Sequence, residues 1–395
     1  MNTLSWHAAR EAVHQAGIAA ILPPRRQKPS ETDGMTLAAP LTALIDLPAF
    51  PTSSVDGYAV RGAGPWTLTG RVLAGELPPP LAAGCAVEVA TGAMVPDGLT
   101  AIIRLEDAKI ENDVVAGTPR PKPEWREIGE ESKVGEEMLP AGSPVTPAVI
   151  GLAAASGYDM LDVRSRPRTA VLVFGDELTT EGVPGAGRIR DSLGPLLPSM
   201  LRHAGATAVP GFSPRGPIED TLESHVAAVQ AALDDADIVC TTGGTMRGPV
   251  DHLHATLKEL GAEYVVNTVA VRPGFPMLVA ALPGERFVVG LPGNPQSAVI
   301  ALASLVVPLI AGLTGRPLRA LPQVVLGADI AGRGPDTHLA LARLADDGTV
   351  MPVGHRGSAM LRGLAQADGF AVIEAGTDAV AGQTVKFLPL PGMQP

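Results

Sequence analysis

Aromatic side chains are scarce in this sequence. They make up 3% of 395 residues, with 3 Trp, 3 Tyr and 7 Phe. Its cores must be built from Ala, Val, Leu and Ile, which the apolar fraction of 46% supplies. Cysteine is scarcer still. Cys85 and Cys240 offer no disulfide framework and fit a reducing compartment; Cys240 falls in an expected core strand. Positive charge is in deficit, with 30 Lys and Arg against 41 Asp and Glu and a net charge of −11. That balance argues against general binding to nucleic acid or to anionic membranes. No charged-then-apolar leader opens the chain, so a cytoplasmic location is expected. The one long uncharged stretch, residues 287–315, is interrupted by Pro292, Pro295 and Pro308. It reads as a buried helix rather than a membrane span.

The length allows about two to four domains. The 45 Gly and 38 Pro are dispersed, which implies many turns and substantial β structure. The centre of the chain is organised around residues 237–251. There β-branched and small residues end in Gly243-Gly244, a loop follows, and Asp251 is placed to cap a helix that Gly261 ends. A strand feeding a glycine loop and a helix N-terminus is an anion-binding device. It is also an ordinary strand-turn-helix connection, and this stretch alone does not choose.

Residues 4–18 have helical periodicity, with Arg10 and Glu11 on the expected exposed face. Asp56-Gly57 signals a turn before a strand. Residues 66–150 alternate short apolar runs with Gly and Pro, as a β-rich module does, and Thr91 ends one such run. Asp56 and Thr91 are turn residues on one reading and ligand groups on the other. From 167 to 315, strands alternate with helices, including expected helices at 191–204 and 218–233 and a strand at 264–271. This pattern implies a mostly parallel, three-layer α/β domain whose crevice lies at the carboxyl ends of the strands. Asp176, Glu177, residues 243–248, Arg272 and residues 294–297 all fall at such ends. Asn294 and Pro295 are start signals for the uncharged helix. Residues 317–395 read as a small β domain, with Ser358 on a loop before a short helix that it is able to cap.

These segments resemble a known family when taken together. They are Ser54-Val55-Asp56-Gly57-Tyr58-Ala59, Thr91-Gly92-Ala93, Gly175-Asp176-Glu177-Leu178 and Arg188-Ile189-Arg190-Asp191-Ser192. They continue with Thr242-Gly243-Gly244-Thr245, Arg272-Pro273-Gly274, Leu291-Pro292-Gly293-Asn294-Pro295 and Gly357-Ser358. In this order, over nearly the whole chain, they resemble the molybdopterin molybdenumtransferases, the MoeA and gephyrin E-domain family. The resemblance implies a multidomain α/β plus β fold in an elongated homodimer. Its parts are a discontinuous N-terminal scaffold at 1–45 and 135–166, and a β-rich second domain at 46–134. A three-layer α/β molybdopterin-binding domain at 167–316 and a small β-barrel-like domain at 317–395 follow.

The implied activity belongs to molybdenum cofactor biosynthesis. Molybdate is inserted into adenylated molybdopterin and AMP is released with Mg²⁺. By resemblance, Glu177 and Asp251 handle Mg²⁺ and the adenylate phosphate. Asp176, Gly243, Gly244, Thr245 and Gly248 cradle pterin and phosphate groups. Pro292, Gly293, Asn294, Pro295 and Ser297 do the same from the second loop. Arg272 and Ser358 face molybdate, with Arg343 a further candidate, because an oxyanion needs fixed cationic and hydroxyl donors. Asp56 and Thr91 are implied to reach this crevice from the partner subunit. Molybdoenzymes and other cofactor-pathway proteins are implied partners.

Three departures stand out. The family's Lys-Pro-Gly-Lys-Pro has become Arg272 to Pro276 with Phe275 in place of a lysine, and Arg keeps the charge but not the geometry. The glycine loop has gained Arg247, and Leu193 stands where Asn is usual. An active transferase would need Arg247 or Arg343 to compensate. Two other readings remain open: a non-catalytic paralogue that binds pterin or acts as a scaffold, and a molybdopterin adenylyltransferase. His252 and His254, two apart on a helix, face different directions and are not expected to bind metal.

Overall fold

In the computed structural model, which describes residues 3–185, 187–246, 251–354 and 357–392, the centre of the chain is a mixed seven-stranded sheet. Arg168–Phe174, Ile238–Thr242 and Arg286–Leu291 run parallel through its middle. Thr207–Ala208 and Arg215–Ile218 pair parallel with the first of these. Leu278–Leu282 and Glu263–Val266 continue the other edge antiparallel.

The period of two along strand Arg168–Phe174 builds the layers. Val171 and Val173 face one helical layer, with Leu197, Leu201 and Leu305. Ala170, Leu172 and Phe174 face the other, with Val229 and Leu257. The result is a three-layer α/β unit, with Cys240 fully buried and its thiol pushed up to about 12 by that burial. The loops after Phe174, Thr242 and Leu291 leave the carboxyl ends of the parallel strands, which is where such sheets hold ligands.

Within the uncharged stretch, Pro295–Leu313 is one continuous helix, and 89% of its apolar window is buried. It is a core helix. A π-helical turn at Leu302–Val306 precedes Pro308, which has no N–H for the regular ladder. The first helix, Trp6–Ala19, crosses its C-terminal half. Trp6 is fully buried and donates its indole N–H to Ser304 Oγ at 2.9 Å. Arg10 is not on an exposed face. It is only 7% exposed, because its guanidinium lies 5.0 Å over the Trp6 ring and under the crossing helix.

Three more local expectations are corrected. The strand over 264–271 divides: Glu263–Val266 belongs to the central sheet, while Val269–Arg272 leaves it and pairs parallel with Thr337–Leu344. The helix expected from 218 begins at Leu222, capped by Thr221, because Ile218 ends a strand. The helix after the glycine loop is Leu253–Glu259 with His252 at its N-cap, so Asp251 is not the cap.

Before the centre lies a six-stranded sheet that includes Gly57–Val60, Trp66–Val72, Cys85–Val89 and Ala101–Arg104. After it, Gln323–Leu326, Thr337–Leu344, Thr349–Pro352, Gly369–Ile373 and Thr384–Pro389 pair in a closed ring, a five-stranded barrel. The ring is closed except beside Thr337 and His338, whose open side pairs with Val271 and Arg272.

Candidate functional site

The strand that changes sheets creates the site. In the parallel pairing, Val271 opposes Thr337 and Arg272 opposes His338. The loop that follows Arg272 is thereby held beside a barrel strand. Between them opens a crevice of about 1300 Å³, lined from the central unit by Arg272, Phe275, Pro292, Asn294 and Ser297. The barrel side contributes Arg333, Asp336, His338, Gly357 and Ser358. The Ser358 carbonyl also accepts the Gln296 N–H at 2.9 Å, which ties the barrel loop to the first turn of the long helix.

Arg272 is clamped. Its Nε–H donates to Asp336 Oδ2 at 2.8 Å, and the guanidinium lies 5.3 Å over the Phe275 ring. Phe275 carries no charge, but it fixes the plane of the one next to it. Among the described residues, the Nε bond is the one hydrogen bond of the Arg272 side chain. Asn294 is the N-cap of the long helix, yet its side chain makes no capping bond, and Pro295 fills the first turn. Pro292 and Gly293 carry the chain past the glycine loop. A β-carbon at Gly293 would lie 3.8 Å from Gly243 Cα, so side chains here would narrow the passage. Gly243 and Gly244 both take left-handed backbone angles, φ 78° and 66°, which glycine adopts without strain. Thr245 beside them is buried.

The carboxylates form a second group. Asp176 and Asp220 exchange bonds, each backbone N–H donating to the other's carboxylate at 3.3 and 3.4 Å. His252 Nε2 lies 3.0 Å from the Asp220 carbonyl. This chain of contacts draws together the loops that carry Glu177 and Asp251. Glu177 folds back over Gly175, where a β-carbon would come within 2.7 Å of its Oε2. Asp251 lines an adjoining cavity of about 540 Å³ that shares Met246 with the crevice.

Asp56 and Thr91 meet each other but do not line the crevice of their own chain. Asp56 Oδ1 accepts the Thr91 backbone N–H at 2.7 Å and its hydroxyl at 2.9 Å. The backbone donor first, and the hydroxyl second, hold this carboxyl below the usual carboxylate range. Gly248 and Arg247 lie outside the described residues. Arg343 is exposed, opposite Met351 in the barrel, and does not line the crevice. The crevice has a different second cation, Arg333. No motif announced Arg333, Asp336 or His338. The only signal was alternation along 336–340, and it acquires meaning once the register with Arg272 is known. His254 Nδ1 lies 2.6 Å from the Tyr264 hydroxyl, so the two neighbouring histidines have separate partners.

Beside the carboxylates is a buried imidazole. His225 is 1% exposed, stacked on Phe174 with ring centroids 3.7 Å apart. Asp220 Oδ1 lies 3.5 Å from it, and the His252 ring packs edge-on at 5.5 Å. Burial pushes the imidazole down; Asp220 opposes this without reversing it. The unfolded chain therefore binds this proton more readily than the folded protein. The group's contribution to stability is present above about pH 6.5 and is lost as pH falls through its lower folded value. His225→Leu should therefore flatten the loss of stability between pH 7.5 and pH 5. Urea midpoints at the two pH values test this, and an unchanged slope would rule His225 out as the cause.

Comparison with known proteins places these features. Three sequence profiles match in order: MoeA N-terminal region (domain I and II) over residues 4–157, a probable molybdopterin binding domain over 170–312, and MoeA C-terminal region (domain IV) over 323–390. A molybdopterin molybdenumtransferase of Synechococcus elongatus is 31% identical over 374 residues, covering 90% of this chain and 91% of the relative. Molybdopterin molybdenumtransferase 2 of Mycobacterium tuberculosis is 32% identical over 383 residues, covering 90% and 92%. The crystal structure of a molybdopterin biosynthesis MoeA protein from Pyrococcus horikosii superposes with a TM-score of 0.76 at 25% identity, covering 99% of this chain and 100% of that one. On sequence, domain order and fold alike, the chain belongs to the MoeA family of molybdopterin molybdenumtransferases, proteins of molybdenum cofactor biosynthesis.

Proposed function

We propose that this chain inserts molybdate into adenylated molybdopterin and releases AMP. The observation that carries the reading is the crevice itself. Arg272, Arg333, Ser297 and Ser358 line one cavity. Fixed guanidinium and hydroxyl donors are what a tetrahedral oxyanion requires. The Gly243-Gly244-Thr245 loop and the Pro292-Gly293-Asn294-Pro295 turn adjoin it and would take the pterin and its phosphates through backbone N–H groups. In the reaction, a water oxygen attacks the phosphoanhydride phosphorus, the P–O bond breaks and AMP leaves with its phosphate; the two dithiolene thiols bond to molybdenum, and their protons leave with one molybdate oxygen as water.

Mg²⁺ fits the donor set. It binds through one or two carboxylates plus substrate phosphates, and Glu177 and Asp251 are hard oxygen donors on adjoining loops. Bound there, it would neutralise charge on the leaving phosphate. Asp176 would hold the Asp220 loop in register. Asp56 and Thr91 complete the site only if a partner subunit supplies them, which supports a homodimer. The four-domain division at 46, 135, 167 and 317 and a cytoplasmic location belong to the same proposal.

The test combines purified protein, adenylated molybdopterin, Mg²⁺ and molybdate, and follows AMP release. Release that depends on molybdate, with active cofactor formed, is the expected result. A second reading is favoured by one observation: the Arg272 charge is already engaged by Asp336, and Phe275 supplies none. Tight pterin binding without AMP release would overturn the transferase reading in favour of a pterin-binding paralogue.

A further inference from the structure

A cavity of about 490 Å³ lies where the first helix, the long core helix and the C-terminal strand meet, and it shares no lining residue with the crevice. Its polar lining is of one sign. Arg10, Arg316, Arg319 and His203 border it, and no Asp or Glu does. The other walls are apolar, including Val307, Ile310, Leu321 and Leu390.

Arg10 is the unusual member. A guanidinium that is 7% exposed normally has a carboxylate partner, because burying an unpaired charge is costly. Among the described residues, Arg10 has no ion pair. It makes one long bond, Nη1 to the Ala303 carbonyl at 3.4 Å, and stacks on Trp6. Burial draws its pKa down to about 10, so it remains protonated at neutral pH. Arg316 is committed to the other side, with Nε to Thr36 Oγ1 at 2.7 Å and Nη2 to the Gly34 carbonyl at 3.2 Å. Arg319 is exposed at the rim. The cavity is thus of ligand size and is lined by one buried, under-partnered cation together with apolar side chains.

We propose that this cavity binds a small organic carboxylate with an apolar body, the carboxylate pairing with Arg10 and the body lying against Val307 and Ile310. Neither the oxyanion nor the pterin reading uses these residues, so the two proposals stand or fall separately.

Isothermal titration of the full chain with hexanoate, hexanol and inorganic phosphate tests it, each in the presence of saturating molybdate so that phosphate does not report on the crevice. Hexanoate should bind saturably, one per chain. Hexanol and phosphate should each bind at least about tenfold more weakly, since each keeps only half of the recognition. Arg10→Met, of similar shape, should lose about tenfold or more in hexanoate affinity, and Arg319→Ala less than that. Val307→Phe should block the site from the apolar side, which keeps a test in hand if Arg10→Met folds poorly. Absence of hexanoate binding at millimolar concentration would overturn the proposal. So would hexanol binding as tightly as hexanoate, or wild-type affinity in both Arg10→Met and Val307→Phe. Phosphate binding as tightly as hexanoate would overturn the apolar part of the assignment.

Discussion

Arg272→Ala should lower molybdate-dependent AMP release on the order of 100-fold, mainly through lost oxyanion affinity. Two effects add. One is the loss of charge-assisted hydrogen bonds to the oxyanion. The other is the exposure of Asp336, which is 17% exposed and whose charge Arg272 now balances at 2.8 Å. With Arg272 gone, Asp336 becomes an uncompensated negative charge facing an anion site. The double variant Arg272→Ala with Asp336→Ala should therefore bind molybdate better than Arg272→Ala alone, although less well than the parent. Phe275→Lys in the parent should raise molybdate affinity, because it adds a cation where the ring now only supports one. Calorimetric molybdate binding beside the AMP assay separates affinity from turnover. A double variant no better than the single one would show that Asp336 does not act on the oxyanion through its charge.

The layered centre was legible because its code is local. Alternation within 168–174 puts Val171 and Val173 on one face and Leu172 and Phe174 on the other. The uncharged helix was legible because no charge interrupts it. The crevice was legible only by half. Arg272, Asn294, Ser297 and Ser358 stand in motifs, whereas Arg333, Asp336 and His338 reach the site through a strand pairing across more than sixty positions of chain. Nothing in a local window carries that register. Of the two cations expected to compensate, Arg247 lies outside the described residues and Arg343 does not line the crevice; Arg333 does, and nothing in a local window distinguishes it from Arg343. Arg10 was misplaced for a related reason. Periodicity shows which face of the first helix is apolar, but not that the core helix also covers the edge of that face.

Gly312→Ala should be among the most damaging single changes in the scaffold, at about 3 kcal/mol, although it adds only one methyl group. A β-carbon at 312 would stand 2.3 Å from the His14 carbonyl oxygen and 2.9 Å from Gly17 Cα. At Gly17 it would stand 2.6 Å from the Leu309 carbonyl oxygen. Every one of these neighbours is backbone, so no rotamer change relieves the contact. The helices must separate, and the fully buried Trp6, Ala9 and Val13 separate with them. Gly151→Ala is the contrasting change. That glycine is exposed in helix Pro147–Ala155 with nothing within 4 Å of the new atom, so alanine should stabilise by about 0.5–1 kcal/mol. The effect at 312 should also reach the site. The helix that carries Gly312 is continuous to Pro295, and its N-cap Asn294 and first-turn Ser297 line the crevice. Thermal midpoints of the two variants, with molybdate affinity measured well below the lower midpoint, test both links. A Gly312→Ala protein that melts with the parent would mean the crossing is looser than this geometry. One that melts early yet binds molybdate normally would mean the π-helical turn at Leu302–Val306 absorbs the shift before it reaches Asn294.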